Sequence, residues 1–246
     1  MNKRICALMT AMCLASSSAM ALTVSDVRLE GSVSYPDEAS AVYTYRYSYP
    51  ITADDDELAD MINGFYTYQV DDALAFAAPM MAESVAPAAE PSHTDVSGKV
   101  TCLNDDYLSV LVTSRGHIDG YDSTVYSAQT FALTGPKRGN VASLPWIMGL
   151  LKEAENDTWL EDRQTAKADE LVRTLVWERM QENEDNIPYY DDISEELLAD
   201  IFYPEEDFFM DEDGRLVFFL QPGYAADESA GRIDFAFELD DILDEL

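Results

Sequence analysis

Tyr43, Tyr45, Tyr47 and Tyr49 alternate with Val42, Thr44, Arg46 and Ser48. A period of two places the tyrosines on one face of an extended chain, so the stretch reads as a strand, stopped at Pro50. Past Pro50 the period changes. Leu58, Met61, Ile62 and Phe65 recur at helical spacing behind acids that suit a helix N-terminus, with Asp54 and Glu57 spaced as a capping box. The pattern predicts a helix over about 55–75, with Gly64 as its weak point.

The next stretch, "APMMAESVAPAAEPSHTDVSG", has no periodicity and is rich in Ala and Pro, which predicts a mobile loop over about 77–97. "GKVTCLNDDYLSVLVTSRG" then gives two alternating strands around an Asn-Asp-Asp turn, and "STVYSAQTFALTG" a third. A short apolar helix starts near Pro145. A longer one follows over about 157–182, with Leu160, Leu171, Val172, Leu175, Val176 and Met180 on one side. "DDISEELLADIF" reads as a third helix, with Asp192 and Glu195 at capping-box spacing. The chain closes with strands "DFFM", "RLVFFL" and "RIDFAFEL" and a turn of helix in "DDILDEL". Asp213-Gly214 joins the first two of these strands tightly. "RLVFFL" is apolar on both faces, as a central strand is, and Ile233, Phe235, Phe237 and Leu239 alternate inward.

Strands and helices therefore come in separate groups. The expected fold class is α+β, with antiparallel meanders packed against segregated amphipathic helices.

Two features outside this pattern bear on function. Lys3 and Arg4 precede an apolar run from Ile5 to Ala15, and Ala19-Met20-Ala21 supplies a small-x-small cleavage site, so residues 1–21 read as a signal peptide and the protein as secreted. The run is too short to span a bilayer, and no later stretch has the ~20 apolar residues of a membrane helix, so no membrane insertion is expected. The second feature is charge: 48 acids against 15 Lys and Arg give a formal −33. Such a field opposes nucleic acid and anionic lipid, both polyanions, and favours cationic partners or plain solubility. Beyond the signal, Cys102 is the only cysteine, which leaves no disulfide to form and suggests a buried apolar strand residue.

A search for chemistry yields little. With so many carboxylates, a pair at any chosen spacing carries no information. His93 falls in the predicted loop, His117 stands alone in "SRGHIDG", and neither His-Glu-x-x-His nor paired-cysteine spacing occurs, so no metal or other cofactor is expected. "FFMDEDG" imitates part of a calcium loop but has Phe209 in the first ligand place and Leu220 in the twelfth. No nucleophile elbow, phosphate loop or dinucleotide fingerprint appears, and the expectation is a protein that is not an enzyme. The tyrosine row has two readings, a buried sheet face or a platform for sugars or a partner.

Three stretches together carry a resemblance. "YSYPITADDDELADMINGFY" offers a strand, a Tyr-Pro and a helix with Ile62-Asn63. "LSVLVTSRGHIDGYDSTVYSAQTFALTGPKRGNVASL" offers a strand, a histidine element, another strand and a Thr-Gly before a Leu-led helix. In the last, Gly214 to Phe218 is followed by Pro222 to Gly231 and a final strand. The chain resembles the RsiV-like extracytoplasmic family, sensor regions of anti-sigma factors, with a peptidoglycan-deacetylase-associated N-terminal domain. Gly223 and Glu228 stand where that family carries tyrosines, and Asp227 where it carries its second proline.

The resemblance implies two domains, 22–145 of the deacetylase-associated type and 146–246 of the RsiV type. It implies a non-catalytic binding module of the bacterial envelope or exterior, with lysozyme or another cationic protein as the partner. The candidate partner-binding residues are His117, Tyr224, Asp227, Glu228 and Gly231. A peptidoglycan or carbohydrate-binding accessory protein is the alternative.

Overall fold

The computed structural model describes residues 24–34, 41–52, 57–84, 92–118, 120–151 and 158–246. The signal-peptide reading of residues 1–21 and the Asp54 half of the first capping box lie outside these residues. The fold is α+β, as the pattern predicts, with a five-stranded sheet in the order β1-β2-β3-β4-β5 and a three-stranded sheet in the order β6-β7-β8.

The chain forms two compact units. One comprises residues 1–99 and 112–125, and the other 100–111 and 126–246. The division runs through three long strands, β3 (Ser92–Leu103), β4 (Tyr107–Ile118) and β5 (Tyr121–Ala132).

In the first unit, β1 (Val24–Ser34) pairs antiparallel with β2 (Ala41–Thr52) along their whole length, from Val24 against Thr52 to Ser34 against Ala41. β1 went unpredicted, although Val27, Leu29 and Val33 alternate along it. The tyrosine row is a packed ladder. Rings at 43, 45, 47 and 49 follow one another at 6.4, 5.8 and 6.4 Å, and Tyr49 stacks on Tyr66 at 4.9 Å. Tyr43 and Tyr47 are buried, so burial and not an open platform explains most of the row. Gly31 lies opposite Tyr45, whose ring end occupies the space a Cβ would need, so a larger residue there would push that ring aside.

Pro50 does not stop β2. The parallel pairing of β2 with β3 covers only residues 43–48, so on that side Pro50 owes no N–H to a neighbour.

That parallel pair departs from the expected antiparallel meander. Parallel neighbours need a long crossover, and helices supply it: α1 (Glu57–Asp72), one π turn at Ala73–Ala77, and α2 (Ala78–Ser84). The helix buries Leu58, Ala59, Ile62 and Tyr66, while Met61 faces outward, one residue off the predicted stripe. Asn63 ties α1 to the end of β2, accepting from the Thr52 N–H at 2.8 Å and donating to the Thr52 carbonyl at 3.0 Å. Ala78 and Ala82 of α2 pack on Tyr43.

The predicted mobile loop over 77–97 is therefore corrected. Residues 78–84 are helical and 92–97 are in β3, leaving 85–91 outside the described residues. Small alanines without a polar counter-face gave no helical period, yet they suit a helix lying close against a tyrosine.

In the second unit the expected β3–β4 hairpin turns at Asn104, whose side chain accepts from the Asp106 and Tyr107 N–H groups at 2.9 and 2.8 Å. α3 (Leu144–Ile147) carries Pro145 in its first turn. α4 (Thr158–Glu182) buries Ala168, Val172, Val176 and Met180 on the predicted stripe. α5 (Glu195–Ile201) is capped by Ser194, whose hydroxyl accepts from the Leu197 N–H at 3.1 Å, so Asp192 is not the cap. β6 (Phe208–Met210), β7 (Leu216–Leu220) and β8 (Ile233–Phe237) pair antiparallel, and α6 (Leu239–Asp244) ends the chain's regular structure.

All five residues of β7 are buried, as a central strand requires. Phe218 stands at 0% exposure with Phe202, Phe208 and Phe237 around it at 6.0–6.4 Å. Cys102 lies buried in this core, where burial pushes its thiol pKa up and keeps it unreactive. One polar link is buried and satisfied: Ser109 Oγ meets Thr130 Oγ1 at 2.9 Å and accepts from the Met210 N–H at 3.0 Å.

Candidate functional site

Four of the five candidate residues share one loop of the second unit, and its geometry follows from local rules. After β7, Pro222 and Gly223 turn the chain, with Gly223 at φ 80°. Ala225 and Ala226 are buried and anchor the loop against 189–190: the Tyr190 N–H donates to the Ala225 carbonyl at 2.9 Å, and Tyr189 bridges Ala226. Asp227 then caps a single 3-10 turn, Glu228–Ala230, by accepting from the Ser229 N–H at 2.9 Å; the Ser229 hydroxyl first, and this N–H second, hold its carboxyl below the usual range. Gly231 leaves at φ 71°, a conformation that favours glycine.

The anchors leave a defined surface. Tyr224 is half exposed, with Asp227 and Glu228 outward on the same loop and Tyr190, Asp191 and Asp192 outward on the anchoring segment.

Arg232 closes the base. Its guanidinium makes two 2.6 Å hydrogen bonds to Asp234 and lies 4.7, 5.1 and 5.5 Å from the ring centres of Tyr126, Phe209 and Phe219. Gln221 holds the loop's other end: its amide accepts from the Tyr126 N–H at 2.9 Å and donates to the Tyr126 carbonyl at 2.8 Å. The loop is thus a rigid mount for an acidic, tyrosine-bearing tip.

His117 belongs to the first unit and is no part of that loop. It is not alone either. His93, expected in a mobile loop, sits on β3, and its ring stacks on that of His117 at 5.5 Å and 12°. His117 Nδ1 lies 2.7 Å from Asp122 Oδ1.

The second unit also has a cleft of about 350 Å³ between α4 and α6. Leu175 and Phe237 form its apolar floor, and Glu178, Glu182, Asp241, Asp244 and Glu245 its rim; among the described residues Arg179 is the one cation lining it, its guanidinium 5.4 Å over the Phe237 ring. Arg179 already covers part of that floor, so it is the carboxylate rim that a further Lys or Arg side chain can meet.

Elsewhere in this unit Glu205 is pushed up to about 7, by burial first and by the charges of Asp169, Glu161 and Glu206, against the Leu144 N–H that it accepts at 3.3 Å. Asp169 is raised by burial too, and its Oδ1 is buried without a hydrogen-bond partner among the described residues. Neither acid lines the cleft.

Set against known structures, the chain is similar to a DUF3298 family member from Bacteroides fragilis NCTC 9343, with a TM-score of 0.55 and 13% identity over 90% of this chain and 92% of that one. The likeness is one of fold. A DUF3298 family protein from Pseudomonas aeruginosa PAO1 also aligns, at a TM-score of 0.46 and 8% identity over 89% and 92% of the two chains. No family model matches the sequence, and no curated protein matches it.

The sequence singled out the loop, and not the cleft or the histidine contact. The α4–α6 cleft draws on residues about sixty positions apart, and nothing in a run of acids says which ones share a rim. The histidine pair was hidden by the Ala/Pro composition just before His93, which masked the start of β3.

Proposed function

We propose that this chain is an exported, non-catalytic binding module that takes a cationic protein, with lysozyme the sharpest case. The observation that carries the proposal is the α4–α6 cleft, where five carboxylates and one guanidinium surround an apolar floor. The formal charge of −33 supplies the long-range part, because complementary fields raise association rates by about 10–10³ at low salt. The anchored loop adds Tyr224 beside Asp227 and Glu228, and an aromatic face next to carboxylates suits a guanidinium or ammonium group. The resemblance to the RsiV-like family supports the lysozyme reading, and the leader-like N-terminus supports export. The carbohydrate alternative loses its main feature, since the tyrosine ladder is largely packed away.

Calorimetric titration of the chain with lysozyme, at low and at physiological salt, tests this. The expected result is saturable binding at low salt that weakens at least tenfold at physiological salt, where the screening length falls to about 8 Å. No heat at either salt, with retention on purified peptidoglycan, would replace this reading by the carbohydrate one. Cleavage or deacetylation of wall fragments by the chain alone would overturn both.

A further inference from the structure

We infer that His93 and His117 form a binding site for a divalent transition-metal ion of the copper, nickel or zinc kind. The chain has two histidines, and both lie on the neighbouring strands β3 and β4 with their rings in contact. His93 stands ten residues before the end of β3 and His117 ten residues after the start of β4, so the hairpin itself sets them side by side.

The donor chemistry is fixed at one partner. A carboxylate only accepts, so in the 2.7 Å contact with Asp122 the His117 Nδ1 carries the proton and donates it. In the neutral ring, the form that binds a metal, Nε2 then carries the lone pair. A carboxylate behind a histidine is the usual outer partner of a metal-bound imidazole, because it fixes the ring's orientation and raises its basicity. Borderline ions of this kind prefer imidazole to carboxylate, which separates them from the calcium and magnesium that the acidic surface would attract.

Among the described residues no three His, Cys, Asp or Glu side chains converge on one point. Two imidazoles therefore supply the protein donors, and water completes the shell. With the rings 12° from parallel, their in-plane lone pairs cannot meet at one ion. One ring must turn, and it is His93, which is exposed, while Asp122 holds His117. The site is a clasp with one fixed and one moving arm.

The test is titration of the full chain with Cu²⁺ near neutral pH in excess Mg²⁺, which occupies the carboxylates, with electron paramagnetic resonance as the second readout. The expected result is one ion per chain with two nitrogen donors. His93→Ala or His117→Ala should leave one nitrogen and lower the affinity more than tenfold. Asp122→Asn should retain two nitrogens and bind about 10–100-fold more weakly, the usual cost of losing an outer partner. All three side chains lie at the surface rim of the hairpin, and His117 and Asp122 are 24% and 89% exposed, so the variants leave the core intact. Equal copper affinity in the His93→Ala/His117→Ala double variant, or one nitrogen donor in the unaltered chain, would overturn the site.

Discussion

The two units solve the same problem with different side chains. The first lines its sheet with tyrosines that run ring to ring from Tyr43 to Tyr49 and on to Tyr66, burying hydroxyls along with rings. The second builds a dry core on Phe218, Leu216, Leu220 and the apolar stripe of α4. The contrast has a cost attached. A buried tyrosine must satisfy its O–H and resists ionisation, and burial raises the pKa of Tyr47, Tyr49 and Tyr66 alike. A phenylalanine core has no such obligation and concentrates its stability in a few positions.

If that difference is real, Phe218→Ala should have the largest effect. Removing a ring at 0% exposure leaves a cavity that its three aromatic neighbours cannot fill, at a cost of about 3–5 kcal/mol. Urea unfolding followed by fluorescence reads it, and a loss below about 1 kcal/mol would mean that the core is not close-packed.

Next in size is Glu205→Gln, which probes the charged fringe of the second unit. The carboxyl moves from its ordinary 4.5 to about 7 in the folded chain. A folded pKa above the unfolded one means that the native state holds the proton more tightly. Stability from this group is therefore full below about 4.5, declines as pH rises through about 7, and is flat above. The amide still accepts from Leu144 and carries no charge, so the variant should gain about 1–2 kcal/mol at alkaline pH, solvent screening of a partly exposed group allowed for, and nothing in mild acid. Denaturant midpoints at the two pH values decide it, and a gain that is equal at both would contradict the assignment to Glu205.

Smallest is Tyr47→Phe in the first unit. It keeps the ring in the ladder and deletes a hydroxyl that interacts with Tyr43, for about 0.5–1.5 kcal/mol. A cost above that of Phe218→Ala would reverse the comparison.

How far the chain could be read in advance follows the same division. In the second unit each strand and helix carries its own period. "LVFFL" is buried throughout, the α4 stripe is spaced as a helix needs, and Asp213-Gly214 turns where it should, with Gly214 at φ 84°. In the first unit the faces were legible and the partners were not. The tyrosines of β2 announced a strand, but nothing along "AVYTYRYSYPI" says that one neighbour runs antiparallel and the other parallel. The candidate site divides likewise. The loop from Pro222 to Gly231 is local turn chemistry, legible in the sequence as a turn. The His93–His117 contact and the α4–α6 rim are products of tertiary register, which no local pattern encodes.

Gln221 carries a consequence of another kind. β5 is an edge strand, and edge strands invite other chains to add on. Here a side-chain amide does what a neighbouring peptide group would do at Tyr126, while the segment 139–142 takes the exposed groups of Thr130 and Ala132. Mutual repulsion between highly charged molecules fades when acid titrates their carboxylates, whereas a capped edge works at any pH. At these positions the edge is closed to an added strand by shape as well as by charge.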